Sequence, residues 1–219
     1  MKHDFWHERW QNNQIGFHLP DVNPLLLKHF STLDLKPNSY QNSNTRVFLP
    51  LCGKTLDIAW LLLQGYRVVG AELSQIAIED LFYSLNLTPT ITKLGEITHY
   101  SATNIDMFVG DIFNVTPAML GNVDAVYDRA ALVALPEDMR KAYTAHLMAL
   151  TNKAPQLLIC FDYDQSVHVG PPFSICADEV KQHYQTTYDL TLLASEAMPN
   201  GLKDKHPATE QVWWLKPLN

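Results

Sequence analysis

The chain has 219 residues, 47% hydrophobic and 18% charged, the composition of a globular domain with a self-sufficient core, which excludes a disordered or fibrous protein. Sixteen Lys and Arg against 23 Asp and Glu give a formal charge of −7, the wrong sign for gripping a phosphate backbone, so nucleic-acid binding is not expected. No run approaches the roughly 18 apolar residues of a membrane span, and the charged opening MKHDFWHERW is unlike a signal peptide, so a cytoplasmic location without membrane contact is expected.

Residues 1–24 mix aromatic, basic and polar groups, and Pro20 and Pro24 interrupt any helix that starts near Phe5. They read as an N-terminal arm, continued to residue 45 by a short apolar helix over 25–33 and the polar surface connection KPNSYQNSNT, 36–45. From Arg46 onward, continuous apolar runs alternate with amphipathic segments, the pattern of parallel strands covered on both faces by crossover helices. Residues 47–51 form the first strand; Leu56, Ala59, Trp60 and Leu63 then share a helical face, and Gly65 closes that helix. Residues 67–73 form the second strand, after which Ser74 caps a helix with the stripe Ile78, Leu81, Phe82 and Leu85.

Strands over 106–113 and 123–128 follow, and Pro136 opens a helix with Glu137 and Asp138 at its positive end. Residues 156–163 are a further strand. The last two, 188–197 and 211–218, flank a polar loop too short for a crossover helix and are expected to pair as an antiparallel hairpin. The whole reads as one α/β domain over 1–219, a doubly wound, mostly parallel sheet of about seven strands with the hairpin at one edge.

An open parallel sheet binds its ligand at the carboxyl ends of the strands, where strand order reverses. The first such end, Pro50-Leu51-Cys52-Gly53-Lys54-Thr55, has one glycine; a dinucleotide wants G-x-G-x-x-G and a Walker loop an upstream glycine, so NAD and FAD are disfavoured. Glu72 ends the second strand, where an acid can accept hydrogen bonds from both ribose hydroxyls of an adenosine, the plain alternative being a solvated carboxylate. Asp111 and Ile112 set a polar and an apolar group side by side after the third strand, suited to the edge and face of an adenine. Arg129 stands beside Asp128 at the fourth end and needs an anionic or π-rich partner, in the chain or in a ligand. Cys52, Cys160 and Cys176 show no C-x-x-C spacing and His3 and His7 have no evident third ligand, so neither a disulfide nor a metal is expected.

Five motifs in order carry a family resemblance: W-x-x-R-W (6–10) followed by Gly16-Phe17-His18, VFLPLCGK (47–54), VVGAELS (68–74), YDRAALVAL (127–135) and HVGPPF (168–173). Over nearly its full length the chain resembles the bacterial thiopurine S-methyltransferases. The resemblance implies a class I, Rossmann-like methyltransferase fold that transfers the methyl group of S-adenosylmethionine, leaving S-adenosylhomocysteine, to the sulfur of an aromatic or heterocyclic thiol such as a thiopurine. It implies that Trp10, Leu51, Glu72 and Arg129 contact the cofactor. Trp6, Phe17, Asp111 and Ile112 complete that site, and the arm covers it; aromatic faces suit a sulfonium cation.

The family also places Arg129 beside the acceptor; Pro171, Pro172 and Phe173 read as a stiff apolar wall beside it, the plain alternative being a rigid turn. Relatives carry an Arg near the final hairpin where this chain offers Lys203 and Lys205, and Lys lacks the planar fork of Arg. An aromatic thiol ionises readily, so no obligatory catalytic residue is assigned; Arg129, whose charge favours the thiolate, and Asp162, at the end of the fifth strand, are the candidates. Selenium or tellurium species are alternative soft acceptors, and a methyltransferase-like binding module without turnover is the alternative from another class. The acidic charge and the lack of an apolar stripe point to a monomer.

Overall fold

The computed structural model describes residues 3–36, 44–203 and 205–218; most of the polar connection expected over 36–45 lies outside them. The arm contains α1 (His3–Gln11) and α2 (Pro24–His29). Asn23 opens α2 by accepting hydrogen bonds from the N–H groups of Leu25 and Leu26, with Pro24 at the first helical position. A tighter 3-10 turn, Phe30–Leu33, completes the apolar helix expected there.

The two strand–helix units follow as β1 (Arg46–Pro50), α3 (Leu56–Leu63), β2 (Arg67–Glu72) and α4 (Gln75–Ser84). Thr55 and Ser74 cap these helices, and Gly65 (φ 83°) leaves α3 in the left-handed conformation. Next come β3 (Thr90–Leu94), β4 (Ile97–Ala102), β5 (Ile105–Val109), α5 (Pro117–Leu120) and β6 (Ala125–Arg129). The described chain ends with α6 (Glu137–Leu150), β7 (Gln156–Tyr163), α7 (Ala177–Tyr184), β8 (Tyr188–Ala197) and β9 (Ala208–Pro217). Pro136 is extended at ψ 157° and stands as the N-cap of α6, one place ahead of the position expected for it.

The sheet runs β3-β4-β5-β2-β1-β6-β7-β9-β8, nine strands where about seven were expected. The addition is the β3–β4 hairpin, turned at Gly95 (φ 63°). β3 lies at the sheet edge and is exposed from Thr90 to Lys93, so it has no buried face to produce an apolar alternation. β5, β2, β1, β6 and β7 are parallel, whereas β9 inserts antiparallel between β7 and β8 and forms the terminal hairpin anticipated.

Alternate strand residues feed two cores. Val47, Leu49 and Val68 pack with Ile58, Leu61 and the arm's Leu25 and Leu26 on one face, while Phe48, Val69 and Ala71 pack with Tyr143, Leu147 and Val180 on the other. Because β2 and β5 extend from β1 to one side and β6 and β7 to the other, strand order reverses at β1, and a crevice opens beyond the carboxyl ends of β1 and β6. Among the described residues, no helix is long and apolar enough to cross a membrane.

Candidate active site

A cavity of about 520 Å³ occupies this crevice, within the range of small-molecule sites. The turn after β1 supplies Leu51 to Thr55, β2 ends in it with Glu72 and Leu73, β6 contributes Tyr127 and Arg129, and the arm adds Trp6, Trp10, Phe17 and His18.

The turn carries two left-handed residues, Leu51 (φ 47°) and Gly53 (φ 54°). A Cβ on Gly53 would stand 3.0 Å from the Trp10 ring, so glycine here lets the arm lie directly on the turn. The Gly53 N–H donates to Glu72 Oε2 at 2.7 Å, and the Ser74 N–H donates to Oε1 at 2.8 Å. The carboxylate keeps spare acceptor capacity for a ligand hydroxyl. Burial raises the Glu72 carboxyl above its usual range, and the N–H groups of Ser74 and Gly53 pull the other way.

Over the turn, Phe17 meets Trp10 edge to face at 5.5 Å and Trp6 at 5.6 Å. Arg129 Nη1 donates to the Phe17 carbonyl at 3.0 Å, which ties β6 to the arm. The intramolecular Asp128–Arg129 pair is not formed, because Asp128 points to the opposite core and accepts from the Tyr143 hydroxyl at 2.7 Å and the Leu132 N–H at 3.2 Å. Asp57, only 1% exposed, accepts from the Asn23 N–H at 2.8 Å and the Tyr127 hydroxyl at 3.0 Å, fastening the start of α2 to β6. Burial and the charges of Lys54 and Arg129 lower the His18 pKa, against an opposing pull from Asp57. Burial and the Glu72 charge push the Cys52 thiol well above its ordinary value, so it packs rather than reacts.

Trp6, Trp10, Phe17, Leu51, Glu72, Arg129, Pro171 and Pro172 are thus brought to one cavity. Phe173 stands behind the proline wall: its N–H donates to the Val133 carbonyl at 2.6 Å, and its ring centre lies 5.9 Å from the Arg140 guanidinium carbon. The wall is held by the Tyr163 hydroxyl, which donates to the Pro172 carbonyl at 2.6 Å. Asp162 accepts from the Gln211 amide at 3.0 Å and is not among the lining residues. Asp111 and Ile112 also lie outside the lining. Asp111 caps a 3-10 turn through the Phe113 N–H and meets His3 at 3.1 Å, while Ile112 is buried in the core. Of the two hairpin lysines, Lys203 lines the cavity and Lys205 is exposed.

Among the lining residues the sequence did not single out are three polar ones, Asn23, Asp57 and Glu210. Asn before Pro is a helix-start signal that would have found Asn23. Asp57 reads as any acid in a first helical turn, and Glu210 as any polar residue in a strand.

A turn that admits close approach, a buried carboxylate with spare acceptor capacity and an aromatic cover fit S-adenosylmethionine. With the parallel sheet, they define a class I methyltransferase that uses this cofactor. The Burkholderia thailandensis 1,6-didemethyltoxoflavin-N1-methyltransferase, crystallised with 1,6-didemethyltoxoflavin and S-adenosylhomocysteine, shares the fold: the TM-score is 0.65 at 14% identity, covering 98% of this chain and 87% of that one. Residues 1–213 match the thiopurine S-methyltransferase family model. A thiopurine S-methyltransferase of Xanthobacter autotrophicus is 52% identical over 217 residues, 99% of each chain. One of Gluconobacter oxydans is 48% identical over 214 residues, 98% of this chain and 94% of the relative. The chain belongs to the thiopurine S-methyltransferase family.

Proposed function

We propose that this enzyme methylates the sulfur of a small aromatic or heterocyclic thiol, thiopurines among them, as a cytoplasmic monomer of one domain whose arm covers the cofactor. One observation carries the reading. Glu72 with the Gly53 turn on the β2 side, and Arg129 with Pro171 and Pro172 on the β6 and β7 side, share a single cavity.

Bound S-adenosylmethionine supplies a methyl group on a sulfonium sulfur that is already its leaving group. Glu72 would hold the ribose hydroxyls, Leu51 and Gly53 allow the backbone to approach, and Trp6, Trp10 and Phe17 face the cationic end. Asp111 and Ile112, one strand further out, would reach only an adenine extended past Leu73 towards β5. The chain's main work is to hold two groups close and aligned and to keep water away, which suits an aromatic cover and a proline wall. Arg129 favours the anionic sulfur, because a nearby positive charge lowers an acid's pKa.

Incubation with methyl-labelled cofactor and 6-mercaptopurine should give the labelled thioether. Methylation of reduced selenium or tellurium species, with no transfer to any organic thiol, would move the reading to those acceptors. Cofactor binding with no product from either would make the chain a binding module.

A further inference from the structure

We infer that Glu210 recognises the acceptor by accepting a hydrogen bond from a ring N–H beside its sulfur and takes that proton as the sulfur is methylated, so that the substrates are heterocyclic thiones with an N–H–C=S unit. This rests on the sulfur-methylating function proposed above and narrows its substrate class.

Glu210 lies on β9, half-buried, and lines the cavity that holds Arg129 and the proline wall. Its register partners are Phe161 on β7, which also lines the cavity, and Glu196 on β8. Glu196 is already engaged with Lys28 at 2.5 Å. Among the described residues, Glu210 has no side-chain hydrogen bond or ion pair, so a carboxylate faces the cavity without a donor. Its oxygens keep solvent access, and an acceptor that displaces that water must supply a donor in its place.

Arg129 is near enough to draw the Glu210 pKa down, yet the two do not close into an ion pair, which leaves room between them for a ligand. Burial is the largest influence on Glu210 and raises its pKa; Glu196 raises it further, against Arg129. The result is a carboxylate that holds a proton more readily than one in water.

A thione offers both charges what they lack: an N–H for Glu210 and, as that N–H weakens, negative charge on sulfur for Arg129. In the transfer, a sulfur electron pair forms the S–CH3 bond. The bond from methyl to the sulfonium sulfur breaks, and its pair stays with the cofactor. The ring N–H bond breaks too: its pair becomes the ring C=N, the C=S π pair withdraws onto sulfur, and the proton passes to the Glu210 carboxylate. The cofactor loses one positive charge and Glu210 one negative charge, so neutral products leave a neutral pair. An arenethiol has no N–H to offer, and an oxyanion brings the wrong sign to Glu210.

The test compares 2-thiopyridone with thiophenol, which match in size and differ in the ring N–H. Wild type, Glu210→Gln and Glu210→Asp, each saturated with S-adenosylhomocysteine, are titrated with both acceptors, and kcat/KM is measured for both with S-adenosylmethionine. In Glu210→Gln, which keeps the size of the side chain, the preference for thiopyridone over thiophenol should fall at least about tenfold in Kd and in kcat/KM. Glu210→Asp, which keeps the charge, should retain part of that preference. An equal loss for both acceptors, or no change for either, overturns the role of Glu210. Wild type that methylates thiophenol but not thiopyridone sinks this inference alone, and wild type that methylates neither sulfur sinks the proposed function with it.

Discussion

Arg129 Nη1 lies 3.0 Å from the Phe17 carbonyl oxygen, although 112 residues separate them in the chain. The charge proposed to face the acceptor therefore also latches the aromatic cover, because Phe17 in turn meets both Trp6 and Trp10. Arg129→Ala should weaken S-adenosylhomocysteine as well as slow transfer. Loss of a charge-assisted bond is worth about 2 kcal/mol, or thirtyfold in affinity. Titration calorimetry reads it; an unchanged Kd would show that the cover holds without the latch.

Glu72 serves the fold and, on the function proposed above, the ligand as well. Its oxygens accept the Gly53 and Ser74 N–H groups in a site that is 6% exposed, and removing them leaves buried donors without partners. Glu72→Ala should therefore cost about 2 kcal/mol of cofactor affinity and lower the unfolding midpoint. In Glu72→Gln one oxygen becomes an NH2 group, which must face one of those N–H donors, so restoring the shape should not restore binding. Equal affinity for wild type and Glu72→Gln would contradict the assignment.

The positions of Glu72 and Arg129 at strand ends were legible because the runs before them, Val68 to Ala71 and Ala125 to Tyr127, are buried on both sides and read as continuous apolar segments. Ser74 and Gly65 were legible as caps for the local reason that side chain and φ alone decide them. β3 was not, since Thr90 to Lys93 bury nothing. Asp111 shows the limit of local reasoning: it does follow its strand, but it caps a 3-10 turn and meets His3 from the arm, a partner no spacing announces. Glu210 shows the same limit from the other side, because a polar residue on a hairpin strand acquires meaning only when β9 is seen to lie against β7.

Gly53 couples the turn to the arm through space rather than through a bond. At φ 54°, with the Trp10 ring 3.0 Å from where a Cβ would stand, alanine meets both a left-handed backbone and an aromatic edge. The backbone alone costs about 1–2 kcal/mol. Gly53→Ala should lower stability by at least that amount, displace Trp10 and weaken the cofactor about tenfold. Tryptophan emission and calorimetry together check this; a stable variant with unaltered Trp10 environment and unaltered Kd would show that the contact is slack.

Asp128, 0% exposed on β6, predicts how stability varies with pH. Burial raises its pKa from 3.8 to about 6, outweighing the hydrogen bonds from Tyr143, Leu132 and Ala131. Below both values the carboxyl is protonated whether folded or unfolded, and it costs nothing. Between them the folded chain keeps a proton that the unfolded chain has released, so stability falls as pH rises; above about 6 both forms are ionised and the full penalty stands. Two pKa units correspond to about 3 kcal/mol. Asp128→Asn removes the titration, so the unfolding free energy of wild type minus that of the variant should drop by about 2 kcal/mol between pH 4 and pH 7. Urea unfolding of both proteins at the two pH values measures it, and a difference that stays constant, or grows with pH, would mean that the Tyr143 hydroxyl and the backbone donors hold the charged form as well as water does.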